Sequence, residues 1–277
     1  MSAVLLMLVT ALFQATTAIP QLAQTAAPSQ SQNQNTFGSL PPDKRAIVLK
    51  LANLEKNFGK GMNSPGVELS MKEINRTRAE DRTLVHYDLY AKGLPHKAVY
   101  TIYQVQINGS ILKNLDGVTL DEGGRAICAG TPGTCSGNGP NDPIDLMVYG
   151  GKGEPKRFAL MSDDEAHLKG FVEVVPFPND ATDKGCTIES VIGTPNAELI
   201  YVRGNGFEPN SELIIDSQSY DEKHHDIAKA AADGSYFSAI MPSVLGKRSG
   251  TTAVEVKAKN CNPKLTFSWG EGTYHLE

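Results

Sequence analysis

Positive charge is not in excess in this chain: 26 lysines and arginines stand against 31 acids, for a net charge of −5. That balance excludes the electrostatic footprint needed to wrap nucleic acid or to dock on anionic lipid. Cysteine is sparse, four in 277 residues and without a Cys-x-x-Cys, which removes the usual redox-active pair. There is no Gly-x-Ser-x-Gly elbow for a nucleophile and no calcium loop with spaced oxygen ligands. A single tryptophan limits aromatic ligand platforms. Glycine and proline are plentiful, 26 and 16, in a chain that is 40% apolar and 21% charged. Such a composition buries a core and is not that of a disordered tail.

The stretch Ala3–Phe13 (AVLLMLVTALF) suits the hydrophobic region of a signal peptide and falls short of the roughly 20 residues a membrane helix needs. Small residues at Thr16, Thr17, Ala18, Ala23, Ala26 and Ala27 offer cleavage sites, although no basic residue precedes the apolar run. We read 1–27 as a signal peptide and 28–41 as a flexible linker, since its Gln, Ser and Asn have too little to bury to offset their ordering entropy. The expected location is secreted, periplasmic or at the cell surface, with no transmembrane segment in the mature chain. Pro41, Pro42 and Asp43 open a segment in which Ile47, Leu51, Leu54 and Phe58 recur at helical spacing before Gly59 and Gly61. This predicts one amphipathic helix over 42–61, its stripe packed on the domain that follows.

Cys128, Cys135, Cys186 and Cys261 fit an exported chain as two disulfides, and three pairings are open. Cys128 and Cys135 bracket AGTPGT, a run of turn formers, and closing that loop stabilises by roughly 2.5 kcal/mol. Cys186 with Cys261 closes a far longer loop, for a contribution on the order of 4.5 kcal/mol. Neither spacing matches the short knuckles of a four-cysteine zinc site, so no metal and no cofactor is assigned.

From Pro65 onward, short segments rich in Val, Ile, Tyr and Thr alternate with Gly, Pro, Asn and Asp clusters. The pattern predicts an all-β fold and argues against alternating α/β units. The two halves also echo each other. Tyr90-Ala-Lys-Gly93 and Pro95 answer Tyr201-Val-Arg-Gly204 and Pro209, and Asp121 to Gly124 answers Asp233-Gly234. Asp145–Val148 and Pro155 are matched with Ala253–Val256 and Pro263, so that the offsets run from 108 to 114. A shift of about 110 is the size of one immunoglobulin-like sandwich. We therefore expect two tandem β-sandwiches, 64–180 and 181–277, divided at the turn-rich NDATDKG of 179–185.

The second copy carries Gly204-Asn-Gly-Phe207-Glu-Pro209, then Ala231-Ala-Asp-Gly-Ser-Tyr-Phe237, then Gly246 to Val256. Over about 195–258 it resembles the immunoglobulin-like domains of bacterial extracytoplasmic and surface proteins. The resemblance implies a fold and an exported binding, adhesion or spacer role; it implies no catalytic residues.

The densest polar cluster is Asp221 to Asp226, with His224 and His225, which we place at an exposed hairpin tip. Neighbouring strand residues point to opposite faces, so these histidines do not readily share a metal. Trp269, with Tyr274 close behind, offers an aromatic platform to a sugar ring or a partner, although a lone tryptophan in a sandwich is commonly core. No catalytic residue is assigned. The expectation is a non-catalytic binding, adhesion or spacer protein of the cell envelope, its partner a glycan or envelope protein and not nucleic acid. The competing expectation is a secreted hydrolase or accessory subunit acting on polysaccharide, with its site between the two sandwiches. An interface of small and apolar residues is expected of the first, and acidic or histidine side chains from both halves are expected of the second; three or more titratable groups converging there would sink the non-catalytic expectation.

Overall fold

The computed structural model describes Glu55, Phe58, residues 61–130, Cys135, 139–271 and 276–277. The expected signal peptide (1–27), linker (28–41), most of the helix over 42–61, and Tyr274 lie outside the described residues. Of the described residues, Glu55 has helical backbone and the rest form strands and turns. No helix among them is long and apolar enough to cross a membrane.

The first eight strands are β1 (Glu68–Ala79), β2 (Arg82–Lys92), β3 (Tyr100–Val105), β4 (Ile111–Leu120), β5 (Ala126–Cys128), β6 (Asp145–Val148), β7 (Lys156–Ser162) and β8 (Lys169–Val174). They make two antiparallel sheets, ordered β1-β2-β6 and β5-β4-β3-β7-β8. Alternation decides which side is buried. On β2, Val85, Tyr87, Leu89 and Ala91 turn inward, where they meet Tyr100, Ile102, Val118, Phe158 and Leu160 of the second sheet.

The next eight are β9 (Asn179–Asp183), β10 (Cys186–Ile192), β11 (Ile200–Asn205), β12 (Glu212–Ser219), β13 (Glu222–Lys229), β14 (Tyr236–Ile240), β15 (Ser249–Lys257) and β16 (Lys264–Gly270). Their sheets run β14-β11-β10-β9 and β13-β12-β15-β16. Ile188, Ile200, Val202 and Tyr236 of the former close on Leu213, Ile215, Val254, Val256, Phe267 and Trp269 of the latter. The Cys186–Cys261 disulfide joins the start of β10 to the β15–β16 turn, and so ties one sheet to the other.

Seven strands of each half share one connectivity. β1, β2 and β6 pair as β10, β11 and β14 do, while β4, β3, β7 and β8 pair as β13, β12, β15 and β16 do. Burial agrees along the central strand. Tyr87 to Lys92 and Ile200 to Asn205 both read buried, buried, buried, half-buried, buried, exposed, which places Tyr90 against Arg203 and not against Tyr201. Gly93 and Gly206 occupy the same position. Both have positive φ, +79° and +83°, and a side chain at either would strike a backbone oxygen, that of Gly66 or of Gly185.

The Gly124 and Gly234 turns match as expected. Gly124 N donates to Asp121 O, and Gly234 N to Ala231 O, at 3.0 Å each. Other expected matches are corrected. Asp145–Val148 forms β6, beside β2, and is the counterpart of β14; Ala253–Val256 lies in β15, the counterpart of β7. Pro155 leads into β7, whereas Pro263 leads into β16.

The cause of the mismatch is an insertion. Tyr90 bridges Arg125 as Arg203 pairs with Phe237, yet Tyr87 pairs with Leu146 as Ile200 pairs with Ile240. The offset thus drops from 112 to 94 between Arg125 and Leu146, which leaves 18 extra residues in the first half. Those residues hold β5, Cys128 and Cys135. The 179–185 segment expected as a dividing turn forms β9 and its hairpin to β10 instead.

Candidate functional site

Within each half, strand pairing sets an arginine opposite a glutamate. Arg157 on β7 faces Glu173 on β8, and Arg203 on β11 faces Glu189 on β10. The two pairs converge with Glu55. Arg157 Nε donates to Glu173 Oε2 at 2.8 Å, and its Nη2 donates to Glu55 Oε2. Arg203 Nη2 reaches Glu173 Oε1 at 2.7 Å and also donates to Glu55 Oε1. Each carboxylate therefore holds both guanidiniums, and each guanidinium holds both carboxylates. The side chains of Arg157 and Glu55 are 9% and 4% exposed, so the ions are screened from water. Phe58 completes the arrangement, with the Arg157 guanidinium 4.9 Å above its ring and Phe171 edge-on at 6.0 Å.

Burial, together with the nearby Glu173, pushes the Glu55 carboxyl up against the pull of the two arginines. Burial also raises Glu189, with Arg203 opposing. At Arg203, burial acts to lower the pKa, but Glu173 and Glu55 outweigh it and the net shift is upward. Tyr201, two residues along the same face of β11, is pushed up by burial.

The cluster opens onto a groove of about 1380 Å³ lined from both halves, among others by Glu55, Phe58, Glu173, Arg203, Tyr90 and Tyr236. Its lining is mixed, with Glu68 and Lys92 at the rim 3.7 Å apart. The small, apolar interface expected of a binding module is not what the halves present, and more than three titratable groups converge there. That meets the condition set against the non-catalytic expectation, and the condition itself needs correcting because it ignores pairing: charges held in reciprocal ion pairs fix geometry, whereas catalysis requires a group free to exchange a proton. Sequence inspection missed these residues because no spacing links 55, 157, 173 and 203. The signal available was an arginine or glutamate interrupting an otherwise apolar strand, as at Arg157, Glu173 and Arg203.

Of the residues singled out from sequence, His224 and His225 lie within β13 and not at a hairpin tip; the turn falls at Tyr220 and Asp221. His225 Nδ1 is 2.7 Å from Asp216 Oδ1, and Lys257 Nζ is 2.8 Å from the other oxygen of that carboxylate. His224 is 4.0 Å from Glu222. Trp269 is 2% exposed, its Nε1 donating to Ser219 Oγ at 3.1 Å, so it presents no face to an external ring. Cys128 and Cys135 are buried free thiols, and the second expected bridge is not formed in this structure. Cys135 Sγ contacts Gly117 O at 3.1 Å, and its thiol is pushed up to about 12 by burial and by Cys128. Among the described residues no group of three or more His, Cys, Asp or Glu is placed to hold a metal.

One array was not visible in sequence. His86 sits between Thr77 Oγ1, 2.8 Å from its Nε2, and Asp145 Oδ2, 2.7 Å from its Nδ1. A hydroxyl, an imidazole and a carboxylate in series are the makings of a nucleophile and its base. The three lie on the outward face of the β1-β2-β6 sheet, and none of them lines the groove.

No family model matches the chain, and no curated protein matches it. Solved structures with some likeness include a tetra-tandem repeat in the extending region of a large adhesion protein, at 11% identity and a TM-score of 0.22, covering 73% of this chain and 74% of that one. A 1.5-MDa bacterial ice-binding adhesin, described for retention on a host cell surface, matches at 12% identity and a TM-score of 0.20, covering 73% and 63%. The receptor tyrosine kinase Torso, described for neurohormone perception, matches at 10% identity and a TM-score of 0.21, covering 90% and 94%. Two of the three are bacterial or large adhesion proteins, and at these scores none defines the fold or function of this chain.

Proposed function

We propose that the chain is a non-catalytic, exported binding or spacer protein made of two immunoglobulin-like sandwiches, 64–177 and 179–277, held at a fixed angle. The observation that carries this reading is the closed ionic cluster of Glu55, Arg157, Glu173 and Arg203, which joins both halves through buried, reciprocally paired charges. Breaking one member leaves an uncompensated buried charge, so the junction resists flexing. A spacer, or a surface assembled from two domains, needs that property. The Cys186–Cys261 disulfide supports an oxidising compartment, whether secreted, periplasmic or at the cell surface. Loops and the inter-domain groove are the surfaces open to a glycan or an envelope protein.

The test is a glycan and envelope-component array probed with the full chain, alongside polysaccharide hydrolysis assays. Saturable binding without release of reducing ends is the expected result. One observation favours a second reading, a polysaccharide hydrolase or its accessory subunit: Glu55 and Glu173 reach the same groove, and the Glu55 carboxyl is pushed up. If the chain cleaves a polysaccharide and Glu173→Gln abolishes the cleavage, the non-catalytic reading is wrong.

A further inference from the structure

The two halves differ at one sheet edge. In the first half the outer side of β4 is taken by β5, with Val118 opposite Cys128, Thr119 opposite Ile127 and Leu120 opposite Ala126. β13 is the counterpart of β4, and its half lacks the insertion that supplies β5. Tyr100 pairs with Val118 as Leu213 pairs with Ala228, so the positions that carry β5 correspond to Ala228, Lys229 and Ala230. Among the described residues β13 pairs with β12 alone. An open edge templates a further strand, and proteins block it with shortness, proline, a bulge or charge. β13 is eight residues long, has no proline and keeps its register without a shift. Only charge remains.

The backbone is aimed for pairing. Ala230 N donates to Ser211 O at 2.9 Å, continuing the β12 ladder, so even-numbered residues of β13 turn their N–H and C=O toward β12 and odd-numbered ones turn theirs to the open edge. The first half agrees: Gly117, the counterpart of Ile227, accepts from Ala129 N at 2.9 Å on the β5 side. Side chains then select the occupant. Glu222, Lys223, His225, Ile227 and Lys229 are exposed. When a second β13 lies antiparallel with His225 opposite His225, Asp226 meets His224, Asp221 meets Lys229 and Lys223 meets Ile227, each twice. A slip of two residues one way opposes Asp226 to Asp226 and Lys223 to Lys229; the other way it opposes Glu222 to Asp226 and Lys223 to His225. Like charges directly opposite destabilise a pair of strands, and a slip of one residue sets the wrong faces together. One register is left. At its centre each His225 is already turned to Asp216 of its own β12, 2.7 Å away.

We propose that two copies of this chain join edge to edge through β13, antiparallel and centred on His225, so that the β13-β12-β15-β16 sheets of both become one. The contact uses the same surface on each copy and therefore closes at two. It gives the second half from outside what β5 gives the first from within.

Sedimentation equilibrium of the full chain over a concentration series tests the pairing. The wild type should pass reversibly from 29.8 kDa to twice that mass. Lys223→Pro removes a donor from the open edge and none from the β12 ladder, so it should abolish the dimer with the circular dichroism spectrum unchanged, while Lys223→Ala should keep the dimer. A second check does not depend on proline. Lys229→Asp sets an acid against Asp221 of the other copy and should weaken association, and Asp221→Lys combined with it should restore it. A chain monomeric at every concentration would overturn the second copy as the occupant and leave the edge to a strand of another protein. A dimer that survives Lys223→Pro would put the contact on another face, and failure of the charge swap to rescue association would refute the register.

Discussion

The cysteines show how far residue-level inference reaches. Four of them in a chain read from its sequence as exported imply bridges, and the pairing of Cys186 with Cys261 follows once those two cap opposite sheets of the second half. Cys128 and Cys135 are close enough in sequence to bridge, but the structure holds both as thiols. Burial keeps Cys135 protonated far above neutral pH, and a thiol reacts as its thiolate. We therefore predict that iodoacetamide at pH 8 leaves the folded chain unmodified and labels two cysteines after denaturation without reductant. No labelling after denaturation would show that the pair is oxidised. Trp269 gives a second check, being the only tryptophan. Its emission should be blue-shifted and insensitive to acrylamide; red-shifted, quenchable emission would contradict its burial beside Tyr220 and Gly250.

At the level of elements, strands were legible because alternation and turn chemistry are local. Register was not, because it depends on which partner a strand finds. The Tyr90 and Tyr201 match looked persuasive in sequence, yet Tyr90 aligns with Arg203 by pairing and burial. An 18-residue insertion then displaced every later match by more than the turns could reveal. The glycines that do correspond are those whose backbone leaves no choice. We predict that Gly93→Ala and Gly206→Ala each destabilise by roughly 2 kcal/mol or more, since both add left-handed strain and a clash with a carbonyl. Gly109→Ala, also at positive φ but with open space around it, should cost about 1 kcal/mol. Denaturant melts of the three variants decide the matter: clearly unequal costs at Gly93 and Gly206 would refute their equivalence, and a cost at Gly109 as large as theirs would remove the carbonyl clash as the cause.

The ion cluster was illegible because it exists only at the scale of the whole molecule, where four residues more than a hundred positions apart at the extremes share one buried volume. Its energetic signature should be asymmetric. Arg157→Met alone is predicted to cost about 3–5 kcal/mol, since two carboxylates stay buried with one guanidinium, and thermal melts would register the loss. Removing Cys186 and Cys261 together should cost about 4.5 kcal/mol by a separate route, through the denatured chain. The two losses should add, because they act at different places. The cluster has a structural signature as well, and it bears on the central claim, that two related halves form one rigid body. Residual dipolar couplings measured for 64–177 and for 179–270 should fit a single alignment tensor in the wild-type chain and two distinct tensors in Arg157→Met. Two tensors already in the wild-type chain would contradict the account.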